Sequence, residues 1–336
     1  KLEPNEYQLM RLNKDIAKVI CDRNDNKKRY MRKDGSIIVR LTKALYGLRV
    51  SARKWYALLV SKLVEIEFEI SMIDKCLLYK KTTNGVIYVL IFVDDLLVCG
   101  DHDDDVTMVY DKLRTEFGTV TVKEGGEISF LGMMIKTNPD NGNITVQQPG
   151  YTEDIIKQYE IIEVRDSPYH QSFSKIEEGD NLKDTDATEY KSLIMKLMYL
   201  AVRTRPDILY AVVALASKGI KPSVKDMVCA KHVIEYLNKS TERGLIYHSD
   251  GDMDVNCYVD ASFNCHPDAR SHSGYVIFPD HNKSAGILFK SAKQKTVADS
   301  STEAELIALH EAMKHLIWII SIYEELGYVR KKPAIV

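Results

Sequence analysis

The chain has six cysteines in 336 residues, and none forms a CxxC pair or sits at zinc-type spacing from histidine. Neither a disulfide framework nor a zinc ribbon is indicated by this pattern. Cys21, Cys76, Cys99, Cys229, Cys257 and Cys265 are scattered, as free thiols in a reducing compartment are. Cys265 with His266, near Cys257, gives only a weak metal pattern. The apolar run at residues 86–93 is far too short to cross a bilayer, so no membrane partner is expected. Residues 1–12 are polar and mixed in charge, unlike a signal peptide. No internal repeat and no low-complexity tract occurs. With 45% apolar and 28% charged residues, the composition suits a sizeable core and excludes wholesale disorder. The length fits about two or three domains.

A net excess of either charge is also lacking, since the formal charge is −2. That balance hides a local asymmetry. Residues 27–62 hold eleven Lys or Arg against one acid, Asp34, whereas residues 94–111 hold seven aspartates and no base. A basic surface followed by an acidic knot suits a protein that grips a polyanion beside bound cations.

The acidic knot opens inside IYVLIFVDDLLVCG, where Asp94 and Asp95 interrupt two apolar, β-branched segments. Aspartate tolerates turn geometry, so the pair reads first as a hairpin turn, although the usual Asn-Gly or Asp-Gly signal is missing. Both flanks are apolar, which places two like charges at the end of a buried sheet, where each disfavours the other unless a cation holds them. Mg²⁺ takes oxygen ligands and bridges one or two carboxylates to substrate phosphates. Paired acids in this setting point to metal-dependent phosphoryl chemistry.

Periodicity divides the chain into three regions: 1–168, 169–248 and 249–336. In the first, KDGSIIVRL reads as a hairpin arm turning at Asp34 and Gly35. SARKWYALLVSKLVEIEF reads as an amphipathic helix capped by Ser51, with Trp55, Leu59, Leu63 and Ile66 as its apolar stripe. Strands YVLIFV and LLVCG flank the aspartates, and a helix starts near Asp104, its leading acids matching the helix dipole. EISFLGMMIKT and GNITVQQ read as a strand pair joined at NPDNG. The middle region opens with a loop-like stretch at residues 173–189, followed by helices in YKSLIMKLMYLAVR, PDILYAVVALASK and SVKDMVCAKHVIEYLNKS. The third has strands VNCYVDASF, SGYVIFPD and AGILFKSA, then a long helix over about 302–326, the pattern of a separate α/β module.

In that module Asp260 interrupts the strand CYVDAS, and Glu305 lies in STEAELIAL at the start of the long helix. Asp260 reads equally as a strand-end turn residue. Thr302 and Glu305 fit a capping box, which gives the glutamate a structural role.

FVDD between two strands, preceded by KALYGLRVSARKWY and followed by SFLGMMI, resembles the reverse transcriptase of copia-type LTR retrotransposons, whose segments read like KALYGLKQAPRAWY, YVDD and YFLG. YKSLIMKLMYLAVRTRPDILYAV is similar to that family's segment after the polymerase. DARSHSGYVIF and KSAKQKTVADSSTEAELIAL are similar to its ribonuclease H. The resemblance spans residues 10–328 in order. It implies an α+β chain: a palm-type sheet with helices (1–168), a helical thumb and connection (169–248), and a ribonuclease H-like α/β domain (249–336).

By that resemblance Asp94 and Asp95 bind Mg²⁺ or Mn²⁺ for two-metal nucleotidyl transfer, with Phe92 near the primer terminus or incoming nucleotide. Arg49, Arg53 and Lys54 face template or triphosphate, Trp55 belongs to the core, and SFLG approaches the primer backbone with Gly132 permitting close contact. Asp260 and Glu305 match the first two acids of a two-metal ribonuclease H site, Glu303 being the weaker candidate. Ser273, Gly274, Lys293 and Gln294 shape the fold rather than the chemistry. The implied partners are an RNA or DNA template with primer, deoxynucleoside triphosphates and an RNA–DNA hybrid. The implied setting is intracellular, in a virus-like particle or the nucleus.

The sequence departs from the family in four places. A further polymerase aspartate, in a segment like DVKTAFLNG, and a third ribonuclease H acid, in a segment like DNQSA, fall outside these residues. The expectation is thus a piece of a longer polyprotein, with little polymerase activity by itself. Val50 replaces an expected glutamine, and Phe289 stands where tryptophan is usual. Two alternatives are a non-catalytic nucleic-acid-binding remnant and an unrelated metal-dependent nuclease centred on Asp260 and Glu305.

Overall fold

The structure, a computed structural model, describes residues 8–169, 180–281, 284–328 and 332–336. Much of the polar opening, residues 1–7, and of the loop-like stretch, residues 173–179, lies outside them. The chain divides into two compact units, Lys1–Ser71 with Lys75–Val120, and Met72–Asp74 with Thr121–Val336.

The first unit begins with β1 (Gln8–Leu12), α1 (Lys14–Asp22) and β2 (Ile37–Leu41). β2 pairs antiparallel with β1, so the expected arm closes on a distant strand rather than as a tight hairpin. The Asp34 and Gly35 turn does form, with Gly35 at φ +76°. Hydrogen bonds from the Ser36 side chain and backbone, with Arg11 close by, pull the Asp34 carboxyl down to about 2.

The centre of this unit is an antiparallel meander of β3 (Glu69–Ile70), β4 (Leu77–Lys81), β5 (Val86–Phe92) and β6 (Asp95–Gly100). Period-two alternation turns Ile87, Val89 and Ile91 inward and leaves Leu90 and Phe92 exposed. The inward face packs on α2 (Arg49–Val64) and α3 (Asp103–Phe117). The expected stripe holds: Leu59 and Leu63 are buried, and Trp55 and Ile66 pack against the same cluster. Its expected cap does not. The helix starts at Arg49, and the Ser51 hydroxyl instead donates to the Leu45 carbonyl at 2.5 Å. Lys62, Glu65, Lys112 and Glu116 form an alternating charge network that ties α2 to α3.

The second unit contains β7 (Glu127–Phe130), β8 (Met133–Thr137), β9 (Ile144–Gln147) and α4 (Pro149–Gln158). EISFLGMMIKT is thus a hairpin in itself, because Leu131 and Gly132 both adopt positive φ, +51° and +73°, the signs of a type I′ turn. Its helical body is α5 (Asp184–Arg203), α6 (Leu209–Ala216) and α7 (Val224–Lys239). α5 starts six residues before the expected helix, with Asp184 and Asp186 in its first turn where the dipole favours acids. α7 begins with a capping box of Ser223 and Asp226. Tyr190, Leu193, Leu197, Leu200, Val233 and Leu237 are among the fully buried residues of this cluster. β10 (Leu245–Tyr247) returns to pair with β9, giving the sheet order β10-β9-β8-β7. One sheet therefore joins segments from both sides of residue 168.

The last segment is an antiparallel sheet of β11 (Asn256–Ser262), β12 (His272–Phe278) and β13 (Leu288–Lys293), followed by α8 (Ser301–Glu325). Cys257, Tyr275 and Ile277 pack against Ala312, Leu316 and Ile319 of α8. By length and composition α8 resembles a membrane span, but this face is a core contact. At the far end of the chain Ile335 bridges to Asn256 in parallel, its carbonyl accepting from Cys257 N at 2.9 Å. The α/β segment clusters with the helical body in one unit rather than standing apart.

Candidate active site

β5 and β6 meet in a two-residue hairpin, with Phe92 opposite Asp95 and only Val93 and Asp94 in the turn. Val93 takes φ +56° while Asp94 does not, the sign pattern of a type II′ turn. Glycine usually occupies that first position. A β-branched residue there is strained by about 1–3 kcal/mol and persists only where neighbours hold it. The hold is visible: the Trp55 indole N–H donates to the Val93 carbonyl at 2.6 Å, while its ring packs on Phe117, centroids 5.1 Å apart.

Both carboxylates are therefore at an exposed tip, not in the buried sheet end that the apolar flanks suggest. Neither makes a hydrogen bond or ion pair among the described residues, so their oxygens are open to an external cation. Phe92, 53% exposed, lies beside them on the outer sheet face. α2, the helix that pins the turn, carries Arg49 and Arg53 one turn apart, both exposed, with Lys54 half-buried. Arg49 makes no ion pair among the described residues. The structure thus brings Phe92, Asp94, Asp95 and the Arg49 helix into one unit.

Gly132, Asp260 and Glu305 belong to the other unit. Gly132 occupies the exposed β7–β8 turn, and a Cβ there would come within 3.0 Å of the Tyr199 hydroxyl. Asp260 pairs with Gly274. Strand alternation sets it with Tyr258 and Ser262 on the face away from α8, where it lines a cleft of about 610 Å³ with Tyr210, His272 and Ser291. His272 is buried, which pushes its imidazole down to about 4, with His266 adding to the effect. It contacts Ser291 Oγ at 2.7 Å and His266 Nε2 at 3.1 Å.

Glu305 is exposed, at the fifth residue of α8 and just past its first turn. The expected capping box does not involve it: Ser300 is the cap, accepting from Glu303 N at 3.1 Å, and the Glu303 carboxylate accepts from Asp299 N at 2.7 Å. Glu303 is thus occupied as a cap, and Glu305 makes no hydrogen bond or ion pair among the described residues. Buried Gln294 links Ser273 Oγ to the Ala304 carbonyl, at 2.9 and 2.8 Å, and so locks β12 to the first turn of α8. Among the described residues no three His, Cys, Asp or Glu side chains are grouped to hold an ion. Asp94 and Asp95 supply the number of carboxylates that Mg²⁺ takes when phosphate oxygens and water complete its shell.

Sequence reasoning missed three supports: the Trp55 contact to Val93, and those of Tyr199 and Gln148 to the β7–β8 turn. Each partner lies distant in the chain, and no local pattern announces it.

The fold is a mixed α/β chain with a tight acidic hairpin beside a cation-bearing helix. Residues 25–168 match the family described as reverse transcriptase (RNA-dependent DNA polymerase). The Pol polyprotein of transposon RE1 from Arabidopsis thaliana is 30% identical over 302 residues, 89% of this chain and 20% of that protein. A transposon Ty5-1 protein of Saccharomyces cerevisiae is 29% identical over 279 residues, 81% of this chain and 87% of that protein. A solved foamy viral protease-reverse transcriptase, in complex with an RNA/DNA hybrid, covers 90% of this chain and 34% of its own at 13% identity, with a TM-score of 0.48. The chain is a retrotransposon Pol-polyprotein-like protein with a reverse-transcriptase family segment, related to copia-type elements. It spans about a fifth of the length of the RE1 polyprotein.

Proposed function

We propose that the chain is the templating and catalytic portion of an RNA-directed DNA polymerase, with the Asp94 and Asp95 tip as its metal-holding corner. The observation that carries this reading is the hairpin, which presents two unpartnered carboxylates on adjacent residues beside exposed Phe92. When bound, Mg²⁺ (or Mn²⁺) supplies charge for activating a primer hydroxyl and steadying the leaving pyrophosphate. Phe92 offers an apolar surface to a base or sugar, and Arg49 and Arg53 offer charge to phosphates. At the β7–β8 turn the Leu131 and Gly132 N–H groups have no acceptor among the described residues, which suits a primer backbone.

A ribonuclease H-like function for Asp260 and Glu305 is the second reading. It is favoured by the antiparallel β11–β13 sheet with α8 across it and a chain end parallel to β11, and by the release of Glu305 from capping duty. Strand alternation sets Asp260 on the face away from α8 and does not itself bring the two acids together. Template, deoxynucleoside triphosphates and RNA–DNA hybrid are the partners this assigns, in an intracellular particle or nucleus. The remnant alternative keeps the same surface without turnover.

Ferrous ion substituted for Mg²⁺ gives a direct test, since it cuts the backbone around its binding site. Cleavage near residues 92–97 is expected, suppressed by excess Mg²⁺ and absent from Asp94→Asn and Asp95→Asn. Cleavage that ignores both substitutions would remove the basis of the proposal. A second cut near residues 260 and 305, lost in Asp260→Asn, is expected for the ribonuclease H reading.

A further inference from the structure

The exposed turn of Leu131 and Gly132 is held from behind. The Tyr199 hydroxyl of α5 donates to the Leu131 carbonyl at 2.7 Å, and Gln148 Nε2 donates to the Gly132 carbonyl at 3.2 Å. Gln148 is itself fixed, because its Oε1 accepts from Thr204 Oγ1 at 2.9 Å. Gln148 and Thr204 are buried, 3% and 1% exposed. With both carbonyls drawn inward and both φ values positive, the two turn N–H groups are left without acceptors among the described residues. Successive amides so arranged favour an anion.

Tyr199 also organises a charge. Arg203, the last residue of α5, is exposed, and its guanidinium lies 5.7 Å from the centroid of the Tyr199 ring, within cation–π range. It makes no hydrogen bond or ion pair among the described residues. One tyrosine thus orients the turn through its hydroxyl and seats a cation on its ring face.

We propose that Arg203 is a nucleic-acid-binding residue that takes a phosphodiester together with the turn amides, and that Tyr199 is the positioning residue for both. This rests on the reading that the turn meets a primer backbone, and it adds a named cation and its support. Arginine suits the role because its fork of donors matches phosphate oxygens. A purely structural account has Arg203 only complementing the C-terminal end of the α5 dipole, and that account predicts no dependence on nucleic acid.

The test is fluorescence anisotropy of a labelled primer–template titrated with the full chain over a series of salt concentrations. Arg203→Gln should weaken binding about 3–10-fold at low salt and reduce the log–log salt slope by about 0.9, the loss of one phosphate contact. Arg203→Lys should keep the slope. Tyr199→Phe, which retains the ring, should weaken binding several-fold with the slope unchanged. Gly132→Ala, whose new methyl meets the Tyr199 hydroxyl, tests the underlying reading and should weaken binding. If Gly132→Ala weakens binding while Arg203→Gln changes neither affinity nor slope, the arginine assignment falls and the primer reading stands. If neither has an effect, the primer reading falls as well. A slope loss in Arg203→Gln with Gly132→Ala silent puts the arginine on a phosphate away from the turn and overturns the joint site. Full affinity in Tyr199→Phe overturns its positioning role.

Discussion

Replacing Trp55 by phenylalanine isolates the hold on the acidic tip. A six-membered ring remains near Phe117, while the pyrrole half of the indole and its N–H to the Val93 carbonyl are removed. A packing loss therefore accompanies the lost bond, and it is the same whatever residue stands at position 93. Such a bond is worth about 1 kcal/mol net. The carbonyl left behind sits in an exposed turn, where water replaces the donor, so no desolvation penalty is added. Against this stands the positive-φ conformation of Val93, which costs about 1–3 kcal/mol for a residue with a Cβ. Once the indole bond is gone, the turn is free to relax and recover part of that strain. Beyond the packing loss, the net cost of Trp55→Phe should therefore be about 0.5 kcal/mol or less. Glycine at position 93 adopts positive φ without penalty. In a Val93→Gly background nothing remains to relax, and Trp55→Phe should cost the same packing loss plus the full bond, about 1 kcal/mol. The resulting coupling of about 0.5–1 kcal/mol lies above the usual additivity error. Native-state hydrogen exchange of peptides covering residues 86–100 reads the free energy of this hairpin directly. Additivity within about 0.3 kcal/mol would refute the claim that the tryptophan holds a strained tip.

Two further outcomes test the second unit. Arg205 is 1% exposed, with its fork on Asp207, the Ser240 carbonyl and Ser240 Oγ. Arg205→Met should cost about 3 kcal/mol in urea unfolding, at the low end for a broken buried pair because the Asp207 side chain is 25% exposed. Adding Asp207→Asn should recover most of the loss, and a double variant as weak as the single would sink this account. Burial alone pushes the Asp207 carboxyl up, but Arg205, Tyr236 and Arg243 outweigh it and hold it below the usual range. The pair's contribution is thus present at neutral pH and lost only below about pH 4, as the folded carboxyl takes its proton. His272 works in another window. Its folded value is about 4 against the ordinary 6.5, so the unfolded chain binds the proton first and stability declines as pH falls from 6.5 towards 4. His272→Gln should flatten that limb of the pH–stability curve, and an unchanged limb would show that other groups carry it.

Elements whose information is local were legible in the sequence. The α2 stripe, the acids opening α3, the β11 and β12 strands and α8 all stand within a residue or two of their periodic patterns, and β13 starts three residues late. What failed was the choice among local partners. Ser51 looked like a cap, but the helix had already begun at Arg49, and its hydroxyl turned back to Leu45. Thr302 and Glu305 had capping spacing, but so did Ser300 and Glu303, and the earlier pair won because the helix starts at Ser301. α4 was not foreseen. It begins at Pro149, which is suited to a first helical turn, and its packing partner α7 lies far along the chain.

The candidate site divides along the same line. Adjacent carboxylates between apolar strands were visible in the sequence; their exposure was not, because it depends on a two-residue turn at a position where valine is a poor choice. That choice makes sense only with Trp55, 38 residues earlier, donating to the turn carbonyl. The β7–β8 turn repeats the design with different parts: Leu131 is the non-glycine residue at positive φ, and Tyr199, 68 residues later, supplies the bond. In both hairpins a non-glycine residue at positive φ is fixed by a distant aromatic donor, one an indole and the other a phenol. Strained backbone maintained by long-range contacts is what a site needing fixed geometry requires. Under the proposed polymerase reading, the two turns define the site more sharply than the charge runs do.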